Sequence, residues 1–304
     1  MKKAFLLGAG LGTRLQPMTN TVPKPLVPVF HRPMATHALD HLHAAGIEKV
    51  AINTHHLHEE WDRTFPDATY RGMELQFFHE EILLETGGGI KNIASFIGDD
   101  SLLVYNGDIL TNIRIDELIN THETSENIAT LAVRSNGPAR HLAVDGNHVT
   151  DIRKKLGIAD GTHQFTGIYC IRPTILEQIP ANEKVSIIPA FLELAAQGKL
   201  GSFSADDGHW LDLGTREAYL ETHGIGATLE TGQEIPQIHE TAEVHPSATL
   251  TNSWVGPHCK VGPEVQLTDS LLWPNTQVAA QAKLTNCIVH SAHPVSGEYH
   301  GQDL

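Results

Sequence analysis

Short apolar runs alternate with amphipathic stretches over the first two-thirds of the chain. The apolar runs have the length and composition of buried strands, and they predict strands at Lys3–Leu7, Lys49–Asn53, Leu75–His79, Leu102–Tyr105, Ile128–Arg134 and Phe165–Ile171. Between and after them, the spacing of apolar residues predicts helices at Met34–Ala45, Ile90–Ile97, Ile115–Thr121 and Ile187–Gln197. This alternation indicates an α/β, Rossmann-like fold with a mainly parallel sheet flanked by helices. Ligands of such sheets bind beyond the carboxyl ends of the strands.

The pattern changes after Gly224-Ile225-Gly226. Aliphatic residues then recur in steps of six, six and five, so that one cycle takes 17 residues; they are Ile238, Val244, Leu250, Val255, Val261, Leu267, Leu272, Val278, Leu284 and Val289. A hexapeptide-type repeat of this kind predicts a triangular, left-handed parallel β-helix of about three coils. We therefore expect a catalytic domain over residues 1–226 and a short β-helix domain over 227–304. The last residues, 291–304, show no pattern.

Composition narrows the range of partners. The chain has 304 residues and a formal net charge of -15, which argues against nucleic acid or an anionic membrane as the main ligand. It has three cysteines and no C-x-x-C, which favours free thiols in a reducing compartment. The apolar N-terminus is interpreted as a first buried strand rather than a signal peptide, and no apolar run reaches membrane-spanning length. These features predict a cytoplasmic protein.

A glycine-rich segment directly follows the first predicted strand. It reads Gly8-Ala9-Gly10-Leu11-Gly12-Thr13-Arg14-Leu15, and Pro17-Met18-Thr19 and Pro23-Lys24-Pro25 follow it. Small residues at a strand-to-loop junction let backbone N–H groups approach a phosphate closely. The string is not a Walker A loop, and its third glycine comes one residue too early for the dinucleotide fingerprint. The simpler alternative to a phosphate-binding loop is a structural βα turn in which the arginine and the lysine have no role in ligand binding.

The order G-x-G-T-R-L, P-x-T and P-K-P resembles the sugar-1-phosphate nucleotidyltransferases, also called nucleotide-sugar pyrophosphorylases. The resemblance covers about residues 1–224 for catalysis and 235–290 for the β-helix. It implies a nucleoside triphosphate and a sugar 1-phosphate as substrates, Mg²⁺ as cofactor, and diphosphate as a product. It also implies a set of nucleotide-binding residues: Leu7, Gly8, Ala9, Gly10, Gly12, Thr13, Arg14, Lys24, Glu80, Glu85, Thr86, Gly87, Asn106 and Gly107.

Two acidic residues follow apolar runs. Asp108 comes after Asn106-Gly107 at the end of one strand, and Asp212 lies between Trp210-Leu211 and Leu213-Gly214. Carboxylate oxygens suit Mg²⁺, which neutralises phosphate charge in nucleotidyl transfer, and the resemblance assigns both residues to the metal. A lone strand-end Asp is more often a turn or cap residue. Only together with the glycine-rich loop is metal binding the preferred interpretation of Asp108 and Asp212.

Arg14, Lys24 and Asp108 are the expected catalytic residues. A bidentate arginine suits the leaving diphosphate, and a point-charge lysine suits the α-phosphate. No protein nucleophile is needed, because the sugar phosphate oxygen can attack the α-phosphorus in line.

Other segments point to the base and the sugar. Glu85-Thr86-Gly87-Gly88-Gly89-Ile90 opens a helix and, with Ala9, resembles N-acetylmuramate-1-phosphate uridylyltransferases. In contrast, Leu11–Leu15 and the β-helix resemble mannose-1-phosphate guanylyltransferases. Glu80 is expected near the base, where two carboxylate acceptors fit the two donors of guanine and favour GTP. A solvated strand-end residue is the equal alternative for Glu80.

Four residues are the candidates for the sugar phosphate. Thr166 and Gly167 lie on the strand that resembles the family's sugar-side strand, and Glu183 and Lys184 precede a helix. A mid-strand bulge is the alternative for Gly167.

Rival functions remain. A hexapeptide acyltransferase would use a histidine such as His258 at a coil junction, and a nucleotide-sugar sensor would bind without turnover. The His55-His56-x-His58 cluster and the His41/His43 pair lack a metal-binding framework and are interpreted as solvated or core residues. The β-helix is expected to form a homo-oligomer.

Overall fold

The computed structural model describes residues 1–181, 183–225 and 235–304, without the side chain of Ile225. The chain forms two compact units. Unit 1 comprises Met1–Leu11 and His37–Trp210, and unit 2 comprises Gly12–Thr36 and Leu211–Leu304. The predicted domain boundary at residue 226 lies outside the described residues. Unit 2 joins an N-terminal segment to the C-terminal repeat, a grouping that the sequence does not predict.

The strands of the first two-thirds of the chain are short and mostly buried. In chain order they are β1 (Lys3–Leu7), β2 (Pro28–Val29), β3 (Arg32–Pro33), β4 (Lys49–Thr54), β5 (Thr69–Tyr70), β6 (Met73–His79), β7 (Leu102–Asn106), β8 (Ile109–Thr111), β9 (Ala129–Arg134), β10 (Leu142–Asp145), β11 (His148–Ile152), β12 (Gln164–Ile171), β13 (Leu200–Ser204) and β14 (Trp210–Asp212).

The helices are α1 (Met34–Ala44), α2 (Glu59–Thr64), α3 (Glu85–Asn92), α4 (Ala94–Ile97), α5 (Ile115–Thr124), α6 (Ile188–Ala196) and α7 (Arg216–Ile225). Short 3₁₀ turns lie at Thr13–Leu15, Met18–Asn20, Lys24–Leu26 and Pro173–Gln178. The predicted helix at 90–97 is divided into α3 and α4 at Ile93, whose φ of -94° and ψ of 18° leave the helical range. No described helix has both the length and the apolar character that crossing a bilayer requires.

One large sheet organises unit 1. Among the described residues, its strand order is β10-β11-β13-β9-β12-β7-β1-β4-β6-β5. The central strands β7, β1, β4 and β6 are parallel, as the alternation of elements predicts. β12 pairs antiparallel with β7 and β9, so the complete sheet is mixed. Helices flank the sheet, and the predicted fold class is confirmed.

The parallel block fixes one edge of the sheet. Leu7 at the end of β1 pairs with Asn53 of β4 and with Asn106 of β7. Ala4, Phe5 and Leu6 are fully buried, as expected for a central parallel strand covered on both faces. The carboxyl ends of these strands therefore deliver Gly8, Glu80 and Gly107 to a common edge.

The C-terminal repeat of unit 2 is a parallel β-helix. Its strands are β15 (Glu243–Val244), β16 (Thr249–Thr251), β17 (Trp254–Val255), β18 (Lys260–Val261), β19 (Gln266–Thr268), β20 (Leu271–Leu272), β21 (Gln277–Val278), β22 (Lys283–Thr285), β23 (Ile288–Val289) and β24 (Glu298–His300). They form three faces, with the orders β15-β18-β21, β16-β19-β22-β24 and β17-β20-β23.

The 17-residue period appears directly in the strand register. Val244 pairs with Val261 and Val261 with Val278, while Leu250, Leu267 and Leu284 align in the same way on a second face. Polar side chains repeat the spacing, since Ser253 accepts a hydrogen bond from the Ser270 amide and Ser270 accepts one from the Cys287 amide. The aliphatic residues of successive coils fill the interior. The β-helix prediction is confirmed.

The coil continues into the segment where the sequence shows no pattern. β24 pairs with β22, so that Lys283 aligns with Glu298 and Leu284 with Tyr299. Val278 still bridges to Val295 at the usual separation, whereas Lys283 and Glu298 are only 15 residues apart. The last coil is therefore shorter by two residues, which hides it from a search for a fixed period.

Candidate active site

The first half of the glycine-rich loop is held by the strand next to it. The Gly8 N–H donates to Asn53 Oδ1 at 2.8 Å. A Cβ at Gly8 would lie 2.7 Å from the Asn53 carbonyl oxygen and 2.8 Å from Cζ2 of the buried Trp61. Gly10 is exposed and a Cβ there would meet no atom within 4 Å. Gly8 is thus required by packing, whereas Gly10 leaves space at the sheet edge.

The second half of the loop lies in unit 2 and turns sharply. Gly12 has a φ of 62°, in the left-handed region, and its carbonyl accepts hydrogen bonds from the Leu15 amide and the Thr19 hydroxyl. A Cβ at Gly12 would lie 2.8 Å from Thr19 Cγ2 and 3.2 Å from Lys24 Cβ. The close packing explains how the P-x-T and P-K-P pieces are brought back against the loop. Lys24 is only 7% exposed.

Arg14 and Asp212 approach the same small volume in unit 2. A Cβ on Gly214 would lie 2.7 Å from Asp212 Oδ1 and 2.8 Å from Arg14 Nη2. Arg14 and Asp212 are both exposed, so the cation and the carboxylate face solvent side by side. The structure therefore brings together two residues that the sequence separates by almost 200 positions, and Gly214 makes room for them.

The Asn106-Gly107-Asp108 turn extends the same edge in unit 1. The Gly107 amide donates to the Leu7 carbonyl at 3.1 Å. Gly167 has a φ of 84°, and a Cβ there would lie 2.5 Å from Asn106 Nδ2, so the β12 glycine is fitted against the turn. Asp108 is half-buried and immediately precedes β8. Gly167 and Asn106 are thus brought together as neighbours.

Within unit 1, hydrogen bonds hold the backbone at His209 and the side chain of Trp210. The His209 carbonyl accepts hydrogen bonds from Thr111 Oγ1 at 2.5 Å and from the Asn112 amide at 3.3 Å. Trp210 Nε1 donates to the Thr166 carbonyl at 2.8 Å. Thr166 itself is buried, and its hydroxyl donates to the Ala132 carbonyl. The contacts of the Thr166 hydroxyl are therefore structural.

The second glycine-rich segment opens α3, as predicted, and packs on residues 183–187. A Cβ at Gly87 would lie 2.8 Å from the Val185 carbonyl oxygen, and one at Gly88 would lie 2.5 Å from the Glu183 carbonyl oxygen. The Gly88 amide donates to the Val185 carbonyl, and Thr86 Oγ1 accepts from the Ile187 amide. These glycines let two backbone segments meet.

The predicted sugar-phosphate pair lies beside this helix. Glu183 and Lys184 are exposed, and Lys184 Nζ is 3.9 Å from Glu85 Oε1. Glu183 and Lys184 are thus adjacent to Glu85–Gly88, the segment predicted to contact the nucleotide. The exposed ion pair between Lys184 and Glu85 contributes little to stability.

Glu80 does not present an open carboxylate. It is 2% exposed, Oε1 accepts from Asn53 Nδ2 at 2.8 Å, and Oε2 accepts from the Leu84 amide at 2.9 Å. The expectation that two open acceptors of Glu80 read guanine loses its support, because protein donors engage both oxygens. The sequence gives only a weak signal for Asn53, an amide at the end of an apolar strand.

The donor sets for a metal are small. Among the described residues, no group of three or more His, Cys, Asp and Glu side chains is arranged to hold a metal ion. Mg²⁺ is usually held by one or two carboxylates together with substrate phosphates, so a small donor set is compatible with it. Two of the clustered histidines have structural contacts. His41 contacts the Tyr105 hydroxyl and the Ile113 carbonyl, and His55 Nδ1 contacts the Glu80 carbonyl.

Comparison with known proteins agrees with the fold. Residues 3–226 match the family model described as nucleotidyl transferase. The chain is 29% identical over 267 residues to a mannose-1-phosphate guanylyltransferase of Mycobacterium tuberculosis, covering 83% of this chain and 74% of that protein. It is 30% identical over 217 residues to an N-acetylmuramate alpha-1-phosphate uridylyltransferase of Neisseria meningitidis, covering 70% of this chain and 93% of that protein. A UDP-glucose pyrophosphorylase from Acinetobacter baumannii has a similar fold, with a TM-score of 0.62 and 19% identity over 73% of this chain and 92% of that one.

Proposed function

The chain belongs to the nucleotidyl transferase family, and we propose that within this family it transfers a guanylyl group from GTP to mannose 1-phosphate. It is a sugar-1-phosphate nucleotidyltransferase, and such an enzyme joins a nucleoside triphosphate to a sugar 1-phosphate. The observation that supports the site is the common edge of β1, β4, β6 and β7, where one glycine-rich loop follows β1 and another opens α3.

The extent of similarity favours mannose 1-phosphate with GTP over N-acetylmuramate 1-phosphate with UTP, and the higher identity favours it over glucose 1-phosphate with UTP, whose enzyme in Synechocystis matches an equal 83% of this chain at 25% identity. The mycobacterial guanylyltransferase aligns with 83% of this chain. Residues 1–226 make up a smaller share than this, so the aligned region must extend into the β-helix. The meningococcal uridylyltransferase aligns with 70%, which the region before residue 226 can contain. N-acetylmuramate 1-phosphate with UTP is the second candidate pair, because that relative has the slightly higher identity.

The reaction needs position and charge rather than a protein nucleophile. An oxygen of the sugar phosphate attacks the α-phosphorus, the bond from that phosphorus to the bridging oxygen of the β-phosphate breaks, and diphosphate leaves with the electron pair. We assign Arg14 to the departing diphosphate and Lys24 to the α-phosphate. The amides of Ala9, Gly10 and Leu11 would donate hydrogen bonds to the phosphate chain where Gly10 leaves space, while the Gly8 amide is used by Asn53.

Asp108 and Asp212 are each proposed as a ligand of Mg²⁺. When bound, Mg²⁺ would neutralise phosphate charge and orient the attacking and leaving oxygens. The exposure of Asp212 beside Arg14 in unit 2 supports this assignment. Asp108 is half-buried at the sheet edge of unit 1.

The remaining substrate contacts are assigned from the same edge. Glu85, Thr86 and Gly87 at the start of α3 are assigned to the nucleotide, and Gly167 on β12, whose missing side chain makes room for Asn106, is assigned to the neighbourhood of the sugar. Glu183 and Lys184 supply the polar contact to the sugar phosphate. Lys184 must exchange its pairing with Glu85 for the substrate, and the cost is small because both side chains are exposed.

Release of diphosphate from a matrix of substrates tests the proposal. Four nucleoside triphosphates are each combined with mannose, glucose, heptose and N-acetylmuramate 1-phosphates in the presence of Mg²⁺. The highest kcat/KM is expected for GTP with mannose 1-phosphate. A preference for UTP with N-acetylmuramate 1-phosphate would favour the second candidate pair over GTP with mannose 1-phosphate. Binding without turnover of any pair would favour a nucleotide-sugar sensor. In the same assay, Lys199→Ala removes an exposed cation that is paired with Glu126 and lies outside the proposed site, and it is the matched control for Arg14→Ala.

The β-helix is proposed to form a homo-oligomer, because the ends of a short solenoid need cover. Light scattering of the full chain tests this, and a monomer at every concentration would contradict it. A cytoplasmic location is proposed from the three cysteines, all of which are buried and unpaired.

A further inference from the structure

A buried carboxylate connects the two glycine-rich segments. Glu80 directly follows β6 and is 2% exposed. Its Oε1 accepts from Asn53 Nδ2 at 2.8 Å and its Oε2 accepts from the Leu84 amide at 2.9 Å. Leu84 is the residue immediately before α3, so one end of the connection lies at the segment assigned to the nucleotide.

Asn53 carries the connection to the phosphate loop. It lies buried at the edge of the sheet, and its Oδ1 accepts from the Gly8 amide at 2.8 Å. Both functional groups of the Asn53 amide are thereby used, one toward Gly8 and one toward Glu80. The chain of hydrogen bonds runs from Gly8 through Asn53 and Glu80 to Leu84, and it crosses the ends of β1, β4 and β6.

The surroundings hold this pair of side chains in one place. The Glu80 amide donates to the Thr54 carbonyl at 2.8 Å, and the Glu80 carbonyl accepts from His55 Nδ1 at 2.6 Å. A Cβ at Gly89 would lie 3.1 Å from Glu80 Oε1 and 3.2 Å from Asn53 Nδ2. The third glycine of α3 therefore leaves just enough room for the pair.

We propose that Asn53 and Glu80 are positioning residues that fix the phosphate loop relative to the start of α3. On this view Glu80 acts through Gly8 and Leu84 and does not read the base. The inference rests on the proposed function, because it assumes that a nucleoside triphosphate spans both segments. When the separation between the phosphate loop and the start of α3 is fixed, less entropy is lost on binding the nucleotide and on reaching the in-line geometry.

Inverting the polarity of the central hydrogen bond tests this directly. In Glu80→Gln, the new NH₂ group faces either the Asn53 NH₂ group or the Leu84 amide. In Asn53→Asp, a second carboxylate faces Glu80 Oε1. In the double variant Asn53→Asp/Glu80→Gln, the new carboxylate at position 53 accepts from Gly8 and from the new NH₂ group at position 80, while the new side-chain carbonyl at position 80 accepts from Leu84. Every donor then meets an acceptor again.

Each single variant is expected to raise the KM for the nucleoside triphosphate by about 10- to 100-fold, because a buried polar group loses its partner. The double variant is expected to return to within about threefold of wild type. Calorimetric titration with GTP, or with UTP if the wild type prefers it, should show the same order of Kd values. Assays run well below each thermal midpoint, so that loss of folded protein does not enter. Glu80→Asp, which keeps the charge but shortens the reach, replaces Glu80→Gln if the latter does not fold.

The matched control is Asp151→Asn. Asp151 is also a buried carboxylate, 1% exposed, and accepts from the Ile152, Leu156 and Ile158 amides, but none of these belongs to either glycine-rich segment. The substitution should lower the thermal midpoint and leave the KM for the nucleoside triphosphate unchanged.

Wild-type values in folded single variants, or a double variant no better than the singles, would overturn the proposal. An increase in KM with Asp151→Asn as large as with Glu80→Gln would also do so. Absence of wild-type turnover would instead refute the proposed function, and GTP titration would still measure the positioning role.

Discussion

Gly214→Ala should separate Arg14 from Asp212 without unfolding unit 2. The added Cβ would lie 2.7 Å from Asp212 Oδ1, 2.8 Å from Arg14 Nη2 and 3.0 Å from Arg14 Cζ, whereas ordinary contact begins at 3.4 Å. Asp212 Oδ1 and Arg14 Nη2 must therefore move away by roughly 0.6–0.7 Å. This is a large fraction of the ~1 Å misplacement that can lower a reaction rate by about 100-fold. Both displaced groups are exposed side-chain ends, so the loss of stability should be small.

We expect kcat to fall by about 10- to 100-fold while the thermal midpoint changes little. The assay is release of diphosphate at saturating concentrations of both substrates, with thermal unfolding of the same preparation. The matched control is Gly224→Ala in the last turn of α7, where a Cβ would lie 3.6 Å from Asn252 Nδ2, an ordinary contact. It should retain wild-type turnover.

A Gly214→Ala variant with kcat within about twofold of wild type would refute this reasoning. It would mean that the placement of Arg14 beside Asp212 has no part in the reaction. An equal loss in both alanine variants would point instead to general sensitivity of unit 2.

Three further outcomes are expected. Asp108→Asn and Arg14→Ala should each lower kcat, the latter by about 10²–10³-fold if Arg14 stabilises developing charge; near-wild-type turnover of both would contradict the site assignment. Asp303→Asn should lower the free energy of unfolding by about 1–3 kcal/mol, because Asp303 accepts from Arg216 at 2.7 Å in a largely buried pair that joins the last coil to α7; an unchanged thermal midpoint would contradict it. Burial lowers the pKa of His122 to about 4, so its contribution to stability is complete above pH 6.5 and is lost as the pH falls toward 4. Urea unfolding should show that the wild type loses at most about 2 kcal/mol more than His122→Asn between pH 8 and pH 5, and equal losses would refute this.

The sequence predicts the local structural features well. A glycine-rich loop after an apolar strand, a second glycine-rich segment at a helix start and a 17-residue period all depend on neighbouring residues in the chain. Each is present in the structure at β1, α3 and the β-helix. Boundaries differ by one or two residues for most strands, and the shortened last coil is missed because it departs from the period.

The surroundings of Glu80 are not determined by the local sequence pattern. Its place after β6 is visible in the sequence, but its burial and its partners Asn53 and Leu84 depend on how β4, β6 and α3 pack together. A carboxylate at the end of a strand can be exposed and bind a substrate, or it can be buried and accept hydrogen bonds from the protein. The local sequence pattern is the same in both cases.

The amino-acid sequence by itself determined the two kinds of architecture, the position of the glycine-rich segments and the reaction class, because periodicity and backbone freedom are encoded over a few residues. Only the tertiary structure decided that Gly12–Thr36 shares a compact unit with the β-helix, that β12 runs antiparallel, and that Arg14 and Asp212 both lie beside Gly214. These features arise from contacts between residues far apart in the chain, whose free energy depends on packing and not on the local pattern of either partner.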